Sequence, residues 1–272
     1  MPENKEATTL VEWTKKVERI VRPRNDPIKV AIVGKYTAVK DAYVSVKEAL
    51  VHSAAAVNAE LAVEWFEASD LEKIDDIVSV LGKYHGVVVP GGFGERGVEG
   101  KIKAIRYCRE RKVPYLGLCL GLQLMVIEYA RHVCGLKGAN STEFDKKSQH
   151  PVIDILPEQL KITKMGGTMR LGAYDCVIKK GTIAHRAYGE ETASERHRHR
   201  YEVSPAYVKE LEDRGLVISG THAKNNIVEI VEWQGNGFGI ATQPHIELKS
   251  RLEAPAPIFV EFMKACKEKG GK

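Results

Sequence analysis

The chain has 272 residues, of which 43% are hydrophobic and 28% charged, and its formal net charge at pH 7 is +5. This balance excludes a disordered or collagen-like chain, and no stretch approaches the roughly 20 apolar residues of a membrane helix. We therefore expect a globular, cytoplasmic protein without a signal peptide, whose modest positive charge suits anionic small molecules better than nucleic acid.

The first half of the chain alternates apolar runs with amphipathic stretches. Residues 10–21 have helical spacing of apolar residues and precede Pro23 and Pro27, which predicts an isolated helix and a linker. The strands predicted next cover 28–33, 61–66, 86–89 and 113–118, and the helices cover 41–57, 71–81, 98–111 and a segment from residue 120. This alternation predicts an α/β fold with a mostly parallel central sheet flanked by helices.

The second half of the chain is less regular. Residues 141–172 are polar and Gly-rich, which predicts a long functional loop. Further strands are predicted at 174–178, 216–219, 226–232 and 238–242, and helices at 208–214 and 256–267. We divide the chain into residues 1–27, interpreted as a tail, helix and linker from a preceding domain, and residues 28–272, interpreted as one domain.

The five cysteines are odd in number, widely spaced and free of any C-x-x-C pattern, so we expect neither a disulfide framework nor a metal site. One of them, Cys119, lies in the pattern G-x-C-x-G between a predicted strand and a predicted helix. Such a pattern is typical of a nucleophile elbow, where a strained turn holds the nucleophile at a helix N-terminus. The alternative is a buried cysteine in a Gly-rich turn; the flanking strand and helix favour the nucleophile.

Two other segments offer groups that a cysteine nucleophile needs. PGGFG, residues 90–94, follows a predicted strand, and its N–H groups can form part of an oxyanion hole. Taken alone, the segment is better interpreted as an ordinary Gly-rich turn, and it lacks the G-x-G-x-x-G spacing of a dinucleotide site. QPHIE, residues 243–247, follows another strand. On an extended chain His245 and Glu247 point to the same side, so the carboxylate can orient the imidazole.

Residues 195–201 have the sequence ERHRHRY. Strand alternation would place Arg196, Arg198 and Arg200 on one face and the two histidines on the other. A solvated basic strand is one interpretation, and anion recognition by the arginines is another. The histidine pair lacks a third ligand nearby and is weak evidence for zinc.

Taken in order, these segments resemble the glutaminase domains of CTP synthases, which are class I (triad) glutamine amidotransferases. The resemblance runs from about residue 28 to residue 267 and is carried by residues 90–123 with ANSTEF, GGTMRLG, ERHRHRYEV and QPHIE. It implies an amidotransferase fold with a nucleophile elbow, and hydrolysis of L-glutamine through a thioester on Cys119. The ammonia would go to a synthetase (amidoligase) domain that aminates UTP to CTP.

The same resemblance implies the residues of the site. The implied nucleophile, general base and orienting carboxylate are Cys119, His245 and Glu247. The groups implied to hold the oxyanion and the amino-acid part of glutamine are the N–H groups of Gly92 and Leu120 and the side chains of Gln123, Glu143 and Arg200. Arg170, in a lid around residues 166–172, is implied in activation by GTP.

Two departures from the family pattern affect these expectations. The family usually has H-P-E at the triad, whereas this chain has His245-Ile246-Glu247 with Pro244 in front. Both triad side chains remain, so we expect the chemistry to survive. No G-x-x-x-x-G-K-[ST] loop occurs, so we expect no cofactor here and assign ATP and Mg to the synthetase half, which this chain lacks.

Other functions remain open on the sequence. Another triad amidotransferase or a γ-glutamyl hydrolase would share the triad, but GGTMRLG and ERHRHRYEV argue against both. A catalytically weak regulatory domain that binds glutamine or nucleotide is supported by Ile246 and by the missing synthetase half. A nucleic-acid-binding function rests on RHRHR and the slight positive charge, and we expect neither nucleic acid nor a membrane as a partner.

Overall fold

A computed structural model describes residues 10–21, 27–37, 39, 41–156, 169–235 and 237–271 of the chain. The predicted polar tail, most of the predicted linker and residues 157–168 of the predicted loop lie outside the described residues. Within the described ranges, no helix is both long enough and apolar enough to cross a membrane.

The described strands are β1 Ile28–Gly34, β2 Leu61–Glu67, β3 Gly86–Val89, β4 Tyr115–Leu118, β5 Asn140–Ser141, β6 Pro151–Asp154, β7 Arg170–Ile178, β8 Thr192–His199, β9 Glu202–Val203, β10 Leu216–His222, β11 Val228–Trp233 and β12 Gly239–Thr242. The described α-helices are α1 Leu10–Val21, α2 Val44–Ala56, α3 Ala68–Glu72, α4 Ile77–Leu81, α5 Val98–Arg111, α6 Leu120–His132, α7 Ile183–Tyr188, α8 Pro205–Asp213 and α9 Pro257–Gly270. A 3-10 helix covers Ile246–Lys249.

Among the described residues, nine strands form the main sheet in the order β2-β1-β3-β4-β12-β11-β10-β7-β8. The strands from β2 to β12 pair in parallel, and those from β12 to β8 pair antiparallel. The expected α/β class is therefore confirmed, and the expected parallel arrangement covers the half of the sheet that carries the site. The short strands β5, β6 and β9 form a separate small sheet.

Helices cover both faces of the sheet because the central strands are apolar on both sides. Strands β3 and β4 are buried at every residue, so each contributes side chains to two cores. One core lies between the sheet and helices α3, α4, α5, α6 and α8. The other lies between the sheet and helices α2, α7 and α9.

Three sequence predictions need correction. The single helix predicted over 71–81 is wrong, because the Asp76 carboxylate accepts a hydrogen bond from the Val78 N–H at 3.0 Å and starts a second helix. The loop predicted over 141–172 is wrong for β5, β6 and the start of β7. The strand predicted over 174–178 begins at Arg170, where β8 pairs with it.

Helix α1 has the predicted bounds and no buried residue. It contacts the main body of the chain through polar bonds: the Arg19 guanidinium donates to the Ala55 carbonyl at 3.0 Å, and the Lys16 ammonium donates to the Glu253 carbonyl at 3.4 Å. The assignment of residues 1–27 to a preceding domain stays a prediction.

The carboxyl ends of the parallel strands lie along one edge of the sheet. Lys35 follows β1, Pro90 follows β3, Cys119 follows β4 and Gln243 follows β12. Because the strand order reverses in this region of the sheet, the fold leaves a crevice there, where ligands bind in open α/β sheets.

Candidate active site

Cys119 has a strained backbone at the junction between β4 and α6. Its φ of 52° and ψ of −101° lie in a region that L-residues rarely adopt. The Cys119 N–H donates to the Thr242 carbonyl at 2.7 Å, which anchors the turn to β12. The sequence prediction of an elbow describes this conformation.

The two glycines of G-x-C-x-G occupy positions where neighbouring atoms leave no room for a Cβ. A Cβ on Gly117 would lie 2.6 Å from the Tyr115 hydroxyl and 2.8 Å from the Ala241 Cβ, and one on Gly121 would collide with the Val89 carbonyl. Any side chain at either position would push α6 away from the sheet. The glycines therefore allow the close packing that sets the strained turn.

His245 and Glu247 lie beside Cys119 as expected. The Nδ1 atom of His245 is 2.8 Å from Oε1 of Glu247, and both side chains are buried. Burial by itself lowers the pKa of His245, but hydrogen bonds with Cys119 and Glu247 outweigh burial and raise the pKa to about 10. His245 therefore places a positive charge next to the Cys119 sulfur at neutral pH, the arrangement in which cysteine nucleophiles act.

Replacement of the usual triad proline has not separated the two side chains. Ile246 is 1% exposed and packs in the core beneath α2 and α9, where its apolar side chain fixes the turn. The local backbone differs from the expectation, because Glu247 lies in a 3-10 helix and not on an extended chain. The His245–Glu247 hydrogen bond forms nevertheless.

The predicted oxyanion groups are neighbours. A Cβ on Gly92 would lie 3.4 Å from Cδ2 of Leu120, and one on Gly91 would lie 3.0 Å from Cε1 of His245. The N–H of Leu120 is at the first position of α6, where no helical acceptor exists, and it carries the positive end of the helix dipole. The arrangement can hold an oxyanion close to the nucleophile.

Gln123 and Gln243 form a chain of buried hydrogen bonds that ends at the Cys119 sulfur. The amide nitrogen of Gln123 donates to the Tyr201 carbonyl at 3.1 Å and to Oε1 of Gln243 at 3.3 Å. The amide nitrogen of Gln243 lies 3.7 Å from the Cys119 sulfur. Gln243 belongs to the QPHIE motif, but the motif by itself assigns it no role; the available signal was its place between the end of a strand and His245.

Glu143 contacts the last residue of the PGGFG segment. Its Oε1 accepts a hydrogen bond from the Gly94 N–H at 2.7 Å. Burial lowers the pKa of Lys35 to about 8, and the nearby Glu143 carboxylate limits this shift. A carboxylate held in this way can face an ammonium group.

The predicted alternation along β8 is confirmed. Arg196, Arg198 and Arg200 are exposed, and His197 and His199 are buried. Burial lowers the pKa of His197 to about 2 and that of His199 to about 3, so both are neutral at physiological pH. Arg198 lines the pocket that contains Cys119 and His245, whose volume is about 280 Å³.

Arg170 departs most from its predicted surroundings. The sequence analysis placed Arg170 in a lid within a long loop, but Arg170 is 9% exposed, at the start of β7. Its guanidinium donates to Glu202 at 3.2 Å and to Glu229 at 2.8 Å and lies 4.6 Å from the centre of the Tyr174 ring. Its proposed role in an effector lid stays a prediction.

The site combines a strained Cys119, a His245 that Glu247 orients, the nearby backbone of Gly92 and Leu120, and the Arg198 guanidinium on the pocket wall. Within the described ranges, no group of three His, Cys, Asp or Glu side chains is arranged to hold a metal ion. The family model Glutamine amidotransferase class-I matches residues 38–265.

The chain is a class I glutamine amidotransferase domain.

Relatives place the amidotransferase domain within one branch of that family. It is 48% identical over 262 residues to the CTP synthase of Methanocaldococcus jannaschii, a match that covers 94% of this chain and 48% of that protein. It is 52% identical over 256 residues to the CTP synthase of Carboxydothermus hydrogenoformans, again covering 94% of this chain and 48% of that protein. The chain therefore spans about half the length of these relatives.

A solved structure matches the amidotransferase domain over nearly its whole length. The glutaminase domain of Trypanosoma brucei CTPS with bound acivicin superimposes with a TM-score of 0.83 and 38% sequence identity. The match covers 89% of this chain and 94% of that one. The chain thus belongs with the glutaminase domains of CTP synthases, as the sequence motifs implied.

Proposed function

We propose that this amidotransferase domain hydrolyses L-glutamine to glutamate and supplies the ammonia to a CTP synthase synthetase domain, which aminates UTP to CTP. The observation that carries the proposal is the strained Cys119 beside a His245 that Glu247 orients at 2.8 Å. Such a triad, set on an elbow between a parallel strand and a helix, is suited to acyl transfer.

In this reaction the Cys119 sulfur attacks the side-chain carbonyl carbon of glutamine. The carbonyl oxygen becomes an oxyanion, held by the N–H groups of Gly92 and Leu120. His245 gives its proton to the leaving nitrogen, and ammonia departs as the C–N bond breaks. His245, now neutral, takes a proton from water, which attacks the thioester; glutamate leaves and the thiolate–imidazolium pair returns.

Recognition of the amino-acid part of glutamine is assigned to the rim of the pocket. Glu143 would accept the α-ammonium, Arg200 would bind the α-carboxylate and Gln123 would contribute through its amide. The hydrogen bonds of Glu143 with Gly94 and of Gln123 with Tyr201 support these roles by holding both side chains at the site. The opposite charges of Glu143 and Arg200 match the zwitterion.

The similarity to CTP synthases supports a proposal for the wider assembly. We place the domain in pyrimidine nucleotide synthesis in the cytoplasm, where the synthetase half would use ATP and Mg²⁺ and GTP would act as an activator. The GTP effect would pass through the segment around residues 166–172. Burial of Arg170 between two carboxylates supports a role at the base of that segment.

Labelling with a glutamine-like chloroketone is expected to modify Cys119 alone, and excess glutamine is expected to prevent it. The other four cysteines are poor nucleophiles because burial raises the pKa of Cys134 to about 11, that of Cys176 to about 12 and those of Cys108 and Cys266 well above the ordinary range. Intact-mass measurement and peptide mapping at pH 7 check this.

The same experiment separates the proposed function from a regulatory one. A domain that binds glutamine or nucleotide without turnover would give no adduct at Cys119, or labelling that glutamine does not reduce. Either result contradicts the proposal. Labelling by iodoacetamide under denaturing conditions serves as the control, since all five thiols should then react.

Replacing Glu143 with glutamine is expected to raise the KM for glutamine about tenfold, because the substrate ammonium loses its counter-charge. The variant keeps an oxygen acceptor for the Gly94 N–H, so the thermal midpoint should stay within about 2 °C of the parent. Steady-state glutaminase assays and thermal denaturation measure the two quantities.

Arg200→Ala is expected to raise the same KM by a similar factor. Its matched control is Arg196→Ala, which removes another exposed arginine from the same segment, residues 195–201, and should leave KM within about twofold of the parent. Equal effects of the two variants would show that general positive charge, and not Arg200, attracts glutamine.

A further inference from the structure

Lys101 is a buried cation in α5 that the proposed reaction does not use. It is 0% exposed, although lysines are rarely buried without a partner. Its ammonium donates one hydrogen bond, to the Pro90 carbonyl at 3.2 Å. Among the described residues, no carboxylate oxygen forms an ion pair with it. Burial of a charge without an ion-pair partner opposes folding, so a lysine at this position is explained better by a role in function than by a role in stability.

The surroundings of Lys101 connect it to the active site. The charged and titratable groups that act on it are Lys35, Cys119, Glu67 and Arg96. Burial and the neighbouring Lys35 lower the pKa of Lys101 to about 7, while Cys119 works in the opposite direction. The Lys101 ammonium thus lies within electrostatic reach of the nucleophile, beneath the segment that supplies the oxyanion donor.

A second buried lysine holds the other end of that segment. Lys35 is 2% exposed, and its ammonium donates to the carbonyls of Phe93, at 3.1 Å, and Gly94. The two lysines therefore bind three carbonyls of residues 90–94 from two different places in the fold, the residue after β1 and helix α5. Each carbonyl held by an ammonium is kept from turning toward the pocket.

The direction of the Pro90–Gly91 peptide matters for catalysis. The C=O and N–H of a trans peptide point in opposite directions, so a carbonyl held on Lys101 turns the Gly91 N–H to the other side. Gly91 packs directly against the catalytic pair, since a Cβ there would lie 3.5 Å from the Cys119 Cβ. A rotated peptide would bring a carbonyl oxygen to this wall and repel an oxyanion.

We propose that Lys101 is a positioning residue of the oxyanion site, whose ammonium fixes the Pro90–Gly91 peptide and so holds in place the backbone that leads directly into the Gly92 N–H. The inference rests on the proposed glutaminase function. It adds a residue that acts through the backbone and does not touch glutamine. Burial of the Lys101 charge costs free energy of folding, and the proposed role in glutamine hydrolysis explains why a lysine occupies this position.

Lys101→Met tests the proposal because it keeps the length and apolar stem and removes the ammonium. We expect kcat for glutamine hydrolysis to fall about tenfold with KM within about twofold, since the loss falls on the oxyanion-bearing steps. Inactivation by the glutamine-like chloroketone, which also passes through an oxyanion, should slow similarly. Alkylation of Cys119 by iodoacetamide, which forms no oxyanion, should change less than about threefold.

The melting temperature of Lys101→Met gives a second test. A lysine that stabilises the fold would lower this temperature when it is replaced, whereas a positioning residue that is costly to bury would raise it. Because the Lys101 pKa is lowered in the folded state, the unfolded chain binds more protons between about pH 7 and pH 10.5. The lysine therefore destabilises the fold most at pH 7 and below. We expect Lys101→Met to melt at a higher temperature than the parent at pH 6, with the difference shrinking toward pH 10.

Unchanged kcat in Lys101→Met would overturn the proposal. So would a lower melting temperature accompanied by an equal slowing of all three reactions, because that pattern marks a structural lysine. Lys101→Gln, which keeps a neutral donor, is expected to retain more of kcat than the methionine variant. Persistent labelling of Cys119 in the parent, blocked by glutamine, would leave the glutaminase function standing if the Lys101 proposal failed.

Discussion

Cys119→Ala is expected to lower glutamine hydrolysis by at least about a thousandfold, because no other group in the described site can form the thioester. The substitution removes one sulfur atom from a buried turn and leaves His245 and Glu247 in place, so glutamine should still bind. Steady-state glutaminase assays and calorimetric titration with glutamine check the two expectations. The control is Cys134→Ala, which removes a different cysteine and should retain most of the activity.

The strain at Cys119 adds a stability test to the activity test. Glycine accepts a φ of 52° far more readily than alanine, so Cys119→Gly should be more stable than Cys119→Ala by about 1 kcal/mol, although both are inactive. Urea denaturation measures the difference. Equal stability, or a more stable alanine variant, would show that the turn is not strained by the side chain and would weaken the elbow interpretation.

Arg170→Met is expected to lower the free energy of unfolding by about 3–5 kcal/mol at pH 9, where Glu202 and Glu229 both carry a charge in the parent. The guanidinium is the partner of Glu202 and Glu229, which are 0% exposed, and its removal leaves two buried carboxylates without a positive charge. Urea denaturation at equilibrium provides the measurement. As a control, Arg106→Met removes an exposed ion pair with Glu110 and should change the same quantity by less than about 1 kcal/mol.

The loss in Arg170→Met should depend on pH. Burial raises the pKa of Glu202 to about 8 and that of Glu229 to about 7, and Arg170 limits both shifts. The folded protein therefore binds more protons than the unfolded chain above about pH 4.5, and the contribution of these carboxyls to stability is lost as pH rises through 7 to 8. The difference between parent and variant should thus shrink at pH 5, where both carboxyls are neutral. A pH-independent difference would mean that packing, and not charge, explains it.

Much of the site could be predicted because its determinants are local in sequence. The elbow depends on two glycines within two residues of Cys119, and the orientation of His245 depends on a carboxylate two residues away. Strand alternation likewise predicts that His197 and His199 are buried and that Arg198, which lies between them, is exposed. Periodic apolar residues were enough to place most helices and strands, including α1, β3 and α5 at their observed bounds.

The sequence by itself thus determined the family and the fold class and led to the proposal of Cys119 as the nucleophile, since these depend on short motifs and periodicity. Only the tertiary structure decided that Arg170 is buried between Glu202 and Glu229, that Gln243 approaches the nucleophile and that Lys101 holds the Pro90 carbonyl. Each of these contacts joins residues on different elements, and the pairing of elements fixes both distance and burial. The free energy of a charged or amide group depends on that burial, which no local pattern records.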